Sequence, residues 1–198
     1  IPELPKFFLD GFTFVAGSTW PKDESCILPG LKEALNKFPD LFIIIAPHEP
    51  TEKHLKNIES FFEGFNCQRF SYVTKLSSET RIIFVDTIGV LAGLYSYSNM
   101  AYVGGAFTTG VHNILEPAVM GATLSFGPKY DNSNDAIEMI KHNLAFRLNN
   151  SKEFRNLLFD LIENRERCSK LGKESCEFVE KQAGASDFCI PFLIKNLF

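Results

Sequence analysis

The 198-residue chain carries a formal charge of −4, with 45% hydrophobic residues and 20 phenylalanines. That length suits one domain with a full core, and the acidic balance gives no electrostatic case for a nucleic-acid partner. No apolar run reaches the roughly 20 residues of a membrane-spanning helix and no secretory signal pattern opens the chain, so a cytoplasmic location is expected. Cys26, Cys67, Cys168, Cys176 and Cys189 are scattered without a C-x-x-C pair, and His48, His54, His112 and His142 show no metal-ligand spacing. Neither a disulfide framework nor a bound metal or cofactor is expected. The chain opens on Ile1 rather than Met, which points to an excised or processed piece of a longer protein.

In chain order, a lead punctuated by Pro2 and Pro5 runs into a buried strand at 12–16 and the loop Gly17-Ser18-Thr19-Trp20-Pro21. A helix from about residue 24 or 27 to 37 leads to the almost wholly apolar run 41–46, of the kind buried on both faces of a parallel sheet. Pro47-His48-Glu49-Pro50 ends it; Thr51 can cap a helix to about 62, and a weaker strand follows near 69–73. The next strand, 81–86, closes in Asp86-Thr87-Ile88-Gly89 before a short helix at 90–95. A strand at 100–103 opens the densest stretch of the chain, Gly104-Gly105 through Gly110 to His112-Asn113-Ile114-Leu115-Glu116-Pro117. A strand at 123–126 ends at Gly127-Pro128, a helix spans 133–141, and 145–148 reads as an edge strand. From Ser151 on the chain reads as helix: 152–164, 165–182 and, past Gly184, 187–196. No linker or low-complexity break divides it, so residues 1–198 read as one domain with a helical C-terminal segment from about 151.

Repeated alternation of apolar strand and helix argues for a parallel, doubly wound α/β sheet with helices on both faces. Such sheets bind ligands outside the carboxyl ends of their strands, at the switch point. Those ends carry Gly17-Ser18-Thr19, Pro47-His48-Glu49, Asp86-Thr87-Ile88-Gly89, Gly104 to Asn113 and Gly127-Pro128, so the loops of unusual chemistry share one rim. In the dense stretch Asn113 is a good N-cap, Glu116 follows three residues on as in a capping box, and Pro117 falls in the first helical turn. Loop amides and the positive end of a helix dipole would favour an anion there. The stretch is not a Walker loop, because Val111-His112 stand where Lys and Ser or Thr are required. Nor is it a dinucleotide fingerprint, because Phe107 takes the second glycine's place. A phosphate or sugar-phosphate site is the reading these features support, against an ordinary βα turn whose glycines only meet turn geometry.

Gly17-Ser18-Thr19-Trp20 with Glu24, Ala46-Pro47-His48, Asp86-Thr87-Ile88-Gly89 with Leu94-Tyr95, and Phe126-Gly127-Pro128 form a wider pattern. With Val103-Gly104-Gly105 through His112-Asn113-Ile114-Leu115-Glu116-Pro117-Ala118, they resemble the C-terminal half of bacterial 3-deoxy-D-manno-octulosonic acid (Kdo) transferases, in register over nearly the whole chain. The resemblance implies a GT-B glycosyltransferase of lipopolysaccharide biosynthesis, with two Rossmann-like domains facing a cleft. The C-terminal domain would bind CMP-Kdo, and the N-terminal one would hold the lipid A precursor at the cytoplasmic face of the inner membrane. It also implies an inverting transfer without bound metal and a glutamate base on the N-terminal domain. This chain is then the donor-binding half, inactive alone, and its site residues bind rather than catalyse.

The same resemblance puts the cytosine near Ile88 and Gly89 and the ribose hydroxyls on Glu116. It puts the phosphate among backbone N–H groups around Gly104, Gly105, Gly110, His112 and Asn113 and the strand-end loops of Ser18, Pro47 and His48. A capping box would compete for the oxygens of Glu116. Many members have an arginine after the proline of the Pro47 loop; here His48 follows, with Lys53 the nearest cation. Either these two share the phosphate role or the cation comes from elsewhere. The alternatives are another GT-B sugar-nucleotide enzyme, such as a UDP-sugar transferase or epimerase, and a non-catalytic scaffold of the same fold.

Overall fold

Strands buried along their whole length must sit inside a sheet covered on both sides. The structure, a computed structural model that describes residues 4–75, 77 and 79–197, places them so. Strands β2 (Leu41–Pro47), β5 (Met100–Val103) and β6 (Thr123–Phe126) are buried at every position, and β1 (Phe12–Thr19) at all but one. Shorter strands β3 (Cys67–Arg69), β4 (Ile82–Phe84) and β7 (Ala145–Arg147) complete one sheet in the order β3-β4-β2-β1-β5-β6-β7, parallel throughout. The chain winds outward from β1 through β2 to β3 at the edge, returns to insert β4 between β3 and β2, then crosses over and lays β5 against the other side of β1. That reversal makes the β1/β5 border the switch point of a doubly wound sheet.

Helices α1 (Phe7–Asp10), α2 (Pro21–Lys37), α3 (Glu52–Phe61), α4 (Leu91–Leu94), α5 (Leu115–Val119), α6 (Asn134–Lys141), α7 (Ser151–Glu163) and α8 (Arg165–Leu197) cover it. Strand side chains alternate between two cores, as the period of two requires. Phe14, Ile43, Phe84 and Tyr102 meet α2, α3 and α7 on one face. Val15, Ile44, Val103 and Phe126 meet α1, α5 and α6 on the other. Helix α8 serves both, for Cys168 and Leu171 join the first core while Phe178 and Val179 pack on the second.

Several boundaries differ from the sequence reading. Helix α2 starts at Pro21 rather than near 24, since proline suits the first helical position and Asp23 accepts from the Trp20 amide at 2.9 Å. The strand expected near 69–73 lies at β3 instead, followed by a 3₁₀ turn over Phe70–Lys75. Helix α1, in the lead read only as proline-punctuated, is an addition, and Pro2 lies outside the described residues. Gly184 does not divide α8; a glycine inside a helix costs about 1 kcal/mol relative to alanine, which weakens a helix without ending it.

Candidate functional site

Strand β1 does not end straight. Its register against β2 shifts between Gly17 and Thr19, and Ser18 turns to φ 53, the left-handed region that L residues enter at a cost of order 1 kcal/mol or more. The Thr19 hydroxyl donates to Glu24 Oε1 at 2.9 Å, and Glu24 Oε2 meets His54 Nε2 at 2.8 Å. The other ring nitrogen of His54 faces the Glu49 carbonyl at 3.1 Å, and Thr51 caps α3 by accepting from the His54 amide. This network joins the end of β1, the start of α2 and the start of α3.

The glycine loop after β5 is fastened to α2 by one fully buried carboxylate. Asp23 Oδ2 accepts from the amides of Trp20 at 2.9 Å and Gly105 at 3.0 Å, while Oδ1 accepts from the Tyr102 hydroxyl at 2.8 Å. Burial, reinforced by the adjacent Asp23 charge, pushes the Tyr102 phenol far above its ordinary range, so it stays a donor. Gly105 sits at φ 93, and a Cβ there would run into the Gly110 carbonyl and the His112 ring. Sequence reasoning found Gly105 and passed over Asp23. Its one local signal is an acid at the third helical position after Trp20-Pro21.

Most amides expected to meet a phosphate are already bonded within the protein. Gly104 N–H donates to Gly17 O at 2.9 Å, Gly110 to Gly105 O at 3.1 Å and His112 to Gly104 O at 3.1 Å, besides Gly105 to Asp23. Val111 donates to Lys129 O at 3.1 Å and to Asn132 Oδ1 at 3.0 Å. Among the described residues this leaves the amides of Ala106, Phe107, Thr109 and Asn113 unengaged in the loop. The segment after Gly127-Pro128 braces the loop from behind, with the Lys129 amide on Ala106 O and its ammonium on Thr108 O, both at 2.9 Å. It is not part of the cleft lining.

Helix α5 has five residues, so its dipole is too short to carry the anion argument made from sequence. The expected capping box between Asn113 and Glu116 does not form, for neither side chain takes the other's backbone amide. Asn113 Oδ1 accepts from the Leu115 amide at 3.0 Å, while Glu116 Oε1 accepts from the Asn113 side-chain amide, also at 3.0 Å, rather than from its backbone. Among the described residues Glu116 Oε2 takes no hydrogen bond. Tyr95, at 1% exposure, lies with its hydroxyl directly beneath Gly17 and has no hydrogen-bond partner among the described residues. Burial first, then the Glu116 carboxylate, pushes its phenol up, so it too remains protonated.

The loops after β1, β2 and β4 enclose a cleft of about 240 Å³ lined by Ser18, Pro47, His48, Thr87, Ile88 and Gly89, among others. Its lip is open: Ile88 is 89% exposed and Gly89 turns at φ 85. Asp86 is turned away from it, holding the amide and hydroxyl of Ser71 at 2.9 and 2.6 Å. The β5 loop joins the cleft through aromatic contacts. His48 stacks on His112, centroids 4.6 Å apart at 12°, and on Trp20 at 4.7 Å and 26°. Trp20 Nε1 donates to His112 Nε2 at 3.2 Å. Partial burial, with the neighbouring His48, lowers the His112 pKa, and Asp23 opposes this. Ser18, Pro47, His48, Ile88 and Gly89 therefore share one cleft and His112 adjoins it. Gly104, Gly105 and Gly110 shape the adjacent loop, which Asn113 and Glu116 close. Lys53 is exposed on α3. A larger cavity of about 510 Å³, around Glu163 to Lys170, lies at the turn between α7 and α8 and holds none of these residues.

No family model matches the chain. It is 29% identical over 154 residues to the 3-deoxy-D-manno-octulosonic acid transferase of Rickettsia prowazekii (strain Madrid E), a match covering 75% of this chain and 32% of that relative. To the 3-deoxy-D-manno-octulosonic acid transferase of Aquifex aeolicus (strain VF5) it is 31% identical over 158 residues, covering 78% of this chain and 43% of the relative. The chain thus spans less than half the length of these curated relatives. Among solved structures, the C-terminal CMP-Kdo binding domain of WaaA from Acinetobacter baumannii matches with a TM-score of 0.76 and 22% identity, over 87% of this chain and 91% of that one. The fold is the Rossmann-like α/β sheet of GT-B C-terminal domains. In sequence, and over this part of its length, the chain is a homologue of the 3-deoxy-D-manno-octulosonic acid transferases.

Proposed function

We propose that this chain is the donor-binding half of a glycosyltransferase that moves Kdo from CMP-Kdo to a lipid A precursor, in lipopolysaccharide biosynthesis at the cytoplasmic face of the inner membrane. The observation that carries the reading is the position of the block His112 to Ala118, through which the sequence resembles the family, beside the β1/β5 switch point of a doubly wound sheet. In this reading the cytosine lies on the Ile88-Gly89 lip, and Glu116 Oε2 accepts from a ribose hydroxyl. Charge-assisted bonds of that kind are among the stronger ones. The phosphate meets the unengaged loop amides beside His48 and His112. Transfer needs the acceptor hydroxyl within about 3–3.5 Å of the anomeric carbon and a base in hydrogen-bond reach. The proposal assigns both to the other half of the enzyme.

The test is to incubate this chain, and separately a full-length relative, with fresh CMP-Kdo and a lipid A precursor and to follow the lipid by mass spectrometry. The relative should produce Kdo-modified lipid and this chain none. Modified lipid from this chain alone would overturn the division of labour and turn attention to His48, Glu49, His112 and Glu116 as bases.

A further inference from the structure

We propose that Trp20 is a positioning residue of the cleft: its indole N–H holds His112 in the neutral tautomer protonated on Nδ1, so that the ring meets an anionic group of the ligand as an N–H donor. The ligand part rests on the donor-binding reading above, and the tautomer part does not.

An indole nitrogen is a donor only, and a neutral imidazole offers one donor and one acceptor. The 3.2 Å contact from Trp20 Nε1 therefore requires a lone pair on His112 Nε2 and places the ring's proton on Nδ1. A proton on Nε2 would set two N–H groups head to head. The surroundings keep the ring in this orientation. Its Nε2 and Cδ2 edge rests on Gly105, where no Cβ fits, and its face stacks on His48 at 4.6 Å. His48 also stacks on Trp20, so the three rings brace one another.

Trp20 is itself held. Its amide donates to Asp23, which also fastens Gly105, and Pro21 behind it begins α2. Nδ1, across the ring from the Trp20 contact, has no hydrogen-bond partner among the described residues. It belongs to the same loop as the unengaged amides of Ala106, Phe107 and Asn113. A neutral N–H donor is easier to desolvate than a cation, and uncharged donors of this kind suit a phosphate ester in a cleft whose lining, among the described residues, holds no arginine.

The test combines ¹⁵N-histidine NMR of the whole 198-residue chain with CMP titration. In the wild type, above pH 7.5, His112 should show a protonated Nδ1 and an unprotonated Nε2. Trp20→Phe keeps a stacking ring and removes the donor. It should move His112 toward the Nε2-protonated form and weaken CMP about 3- to 10-fold, the scale of one lost hydrogen bond. In a His112→Ala background the same substitution should change CMP affinity little, because the residue through which Trp20 acts is gone. A wild-type His112 protonated on Nε2 overturns the proposal without any variant. So does a Trp20→Phe protein that loses CMP affinity with an unchanged tautomer, since Trp20 would then act by packing alone. An Nδ1-protonated His112 in a chain that binds no CMP would refute the ligand contact and the donor-binding reading together, while leaving the tautomer assignment standing.

Discussion

At the scale of single residues, Asp23 carries more of the site than any glycine does. Two oxygens serve three donors, and the most distant, the Gly105 amide, lies 82 positions along the chain. Asp23→Ala would strand the Gly105 amide and the Tyr102 hydroxyl in the interior and free the half-buried Trp20 amide, at about 1–3 kcal/mol for a buried group left unsatisfied, a large share of a typical total of about 5–15 kcal/mol. Asp23→Asn should be milder, because its oxygen can still serve both amides while the Tyr102 hydroxyl turns to accept from its NH₂. Urea denaturation midpoints should rank the three proteins wild type, Asn, Ala; equal midpoints for Asn and Ala would refute this accounting.

His112 gives a pH prediction. Its pKa in the folded protein lies below its unfolded value, about 6.5, because burial and His48 disfavour the imidazolium. A depressed value means that its contribution to stability is fully present above about pH 6.5 and is lost as pH falls through the folded pKa. In NMR titration His112 should turn over below about 6.5, and His112→Asn should narrow the fall in Tm between pH 7.5 and 5.5. A midpoint above the ordinary value would contradict the Trp20 contact as well.

Gly105, His112 and Glu116 were legible in the sequence because their neighbours along the chain make an unusual pattern. Asp23 and His54 were not, because what marks them is contact with distant segments: Gly105 for Asp23 and Glu24 for His54.

At the scale of elements, β5 and β6 fell where apolar periodicity put them, while α2, α5 and α8 did not. Helix α2 begins earlier because proline at its first position and an acid at its third are start signals that outweigh the lack of a Ser, Thr, Asp or Asn cap. Helix α5 stops after five residues, and the chain turns at Gly121, φ 76, into β6. In the proposed reading the loop before α5, with Gly105 as its pivot, takes the phosphate-binding role that the sequence suggested for the helix. Gly105→Val should abolish CMP binding more completely than Glu116→Gln does, since a β-branched residue resists φ 93 and its Cβ would displace the His112 ring. Titration of both folded variants checks this; unchanged affinity in Gly105→Val would remove the loop from the site.

For the molecule as a whole, the parallel, two-faced sheet followed from alternating apolar strands, but the strand order did not. Nothing local tells β5 to pair with β1 on the far side of the sheet rather than with the edge strand β3. That return sets the β1 and β5 loops side by side and brings His112 to Trp20, 92 positions apart in sequence. The most direct measurement is calorimetric titration of CMP and of UDP into the 198-residue chain and its Glu116→Gln variant. CMP should bind the wild type and UDP should not. The variant should lose about 10- to 150-fold in CMP affinity, from the roughly 1.5–3 kcal/mol of a charge-assisted hydrogen bond, with an unchanged melting temperature. UDP binding as well as CMP, or a variant that binds CMP normally but melts far lower, would contradict a CMP-sugar site and leave Glu116 as a structural partner of the Asn113 side chain.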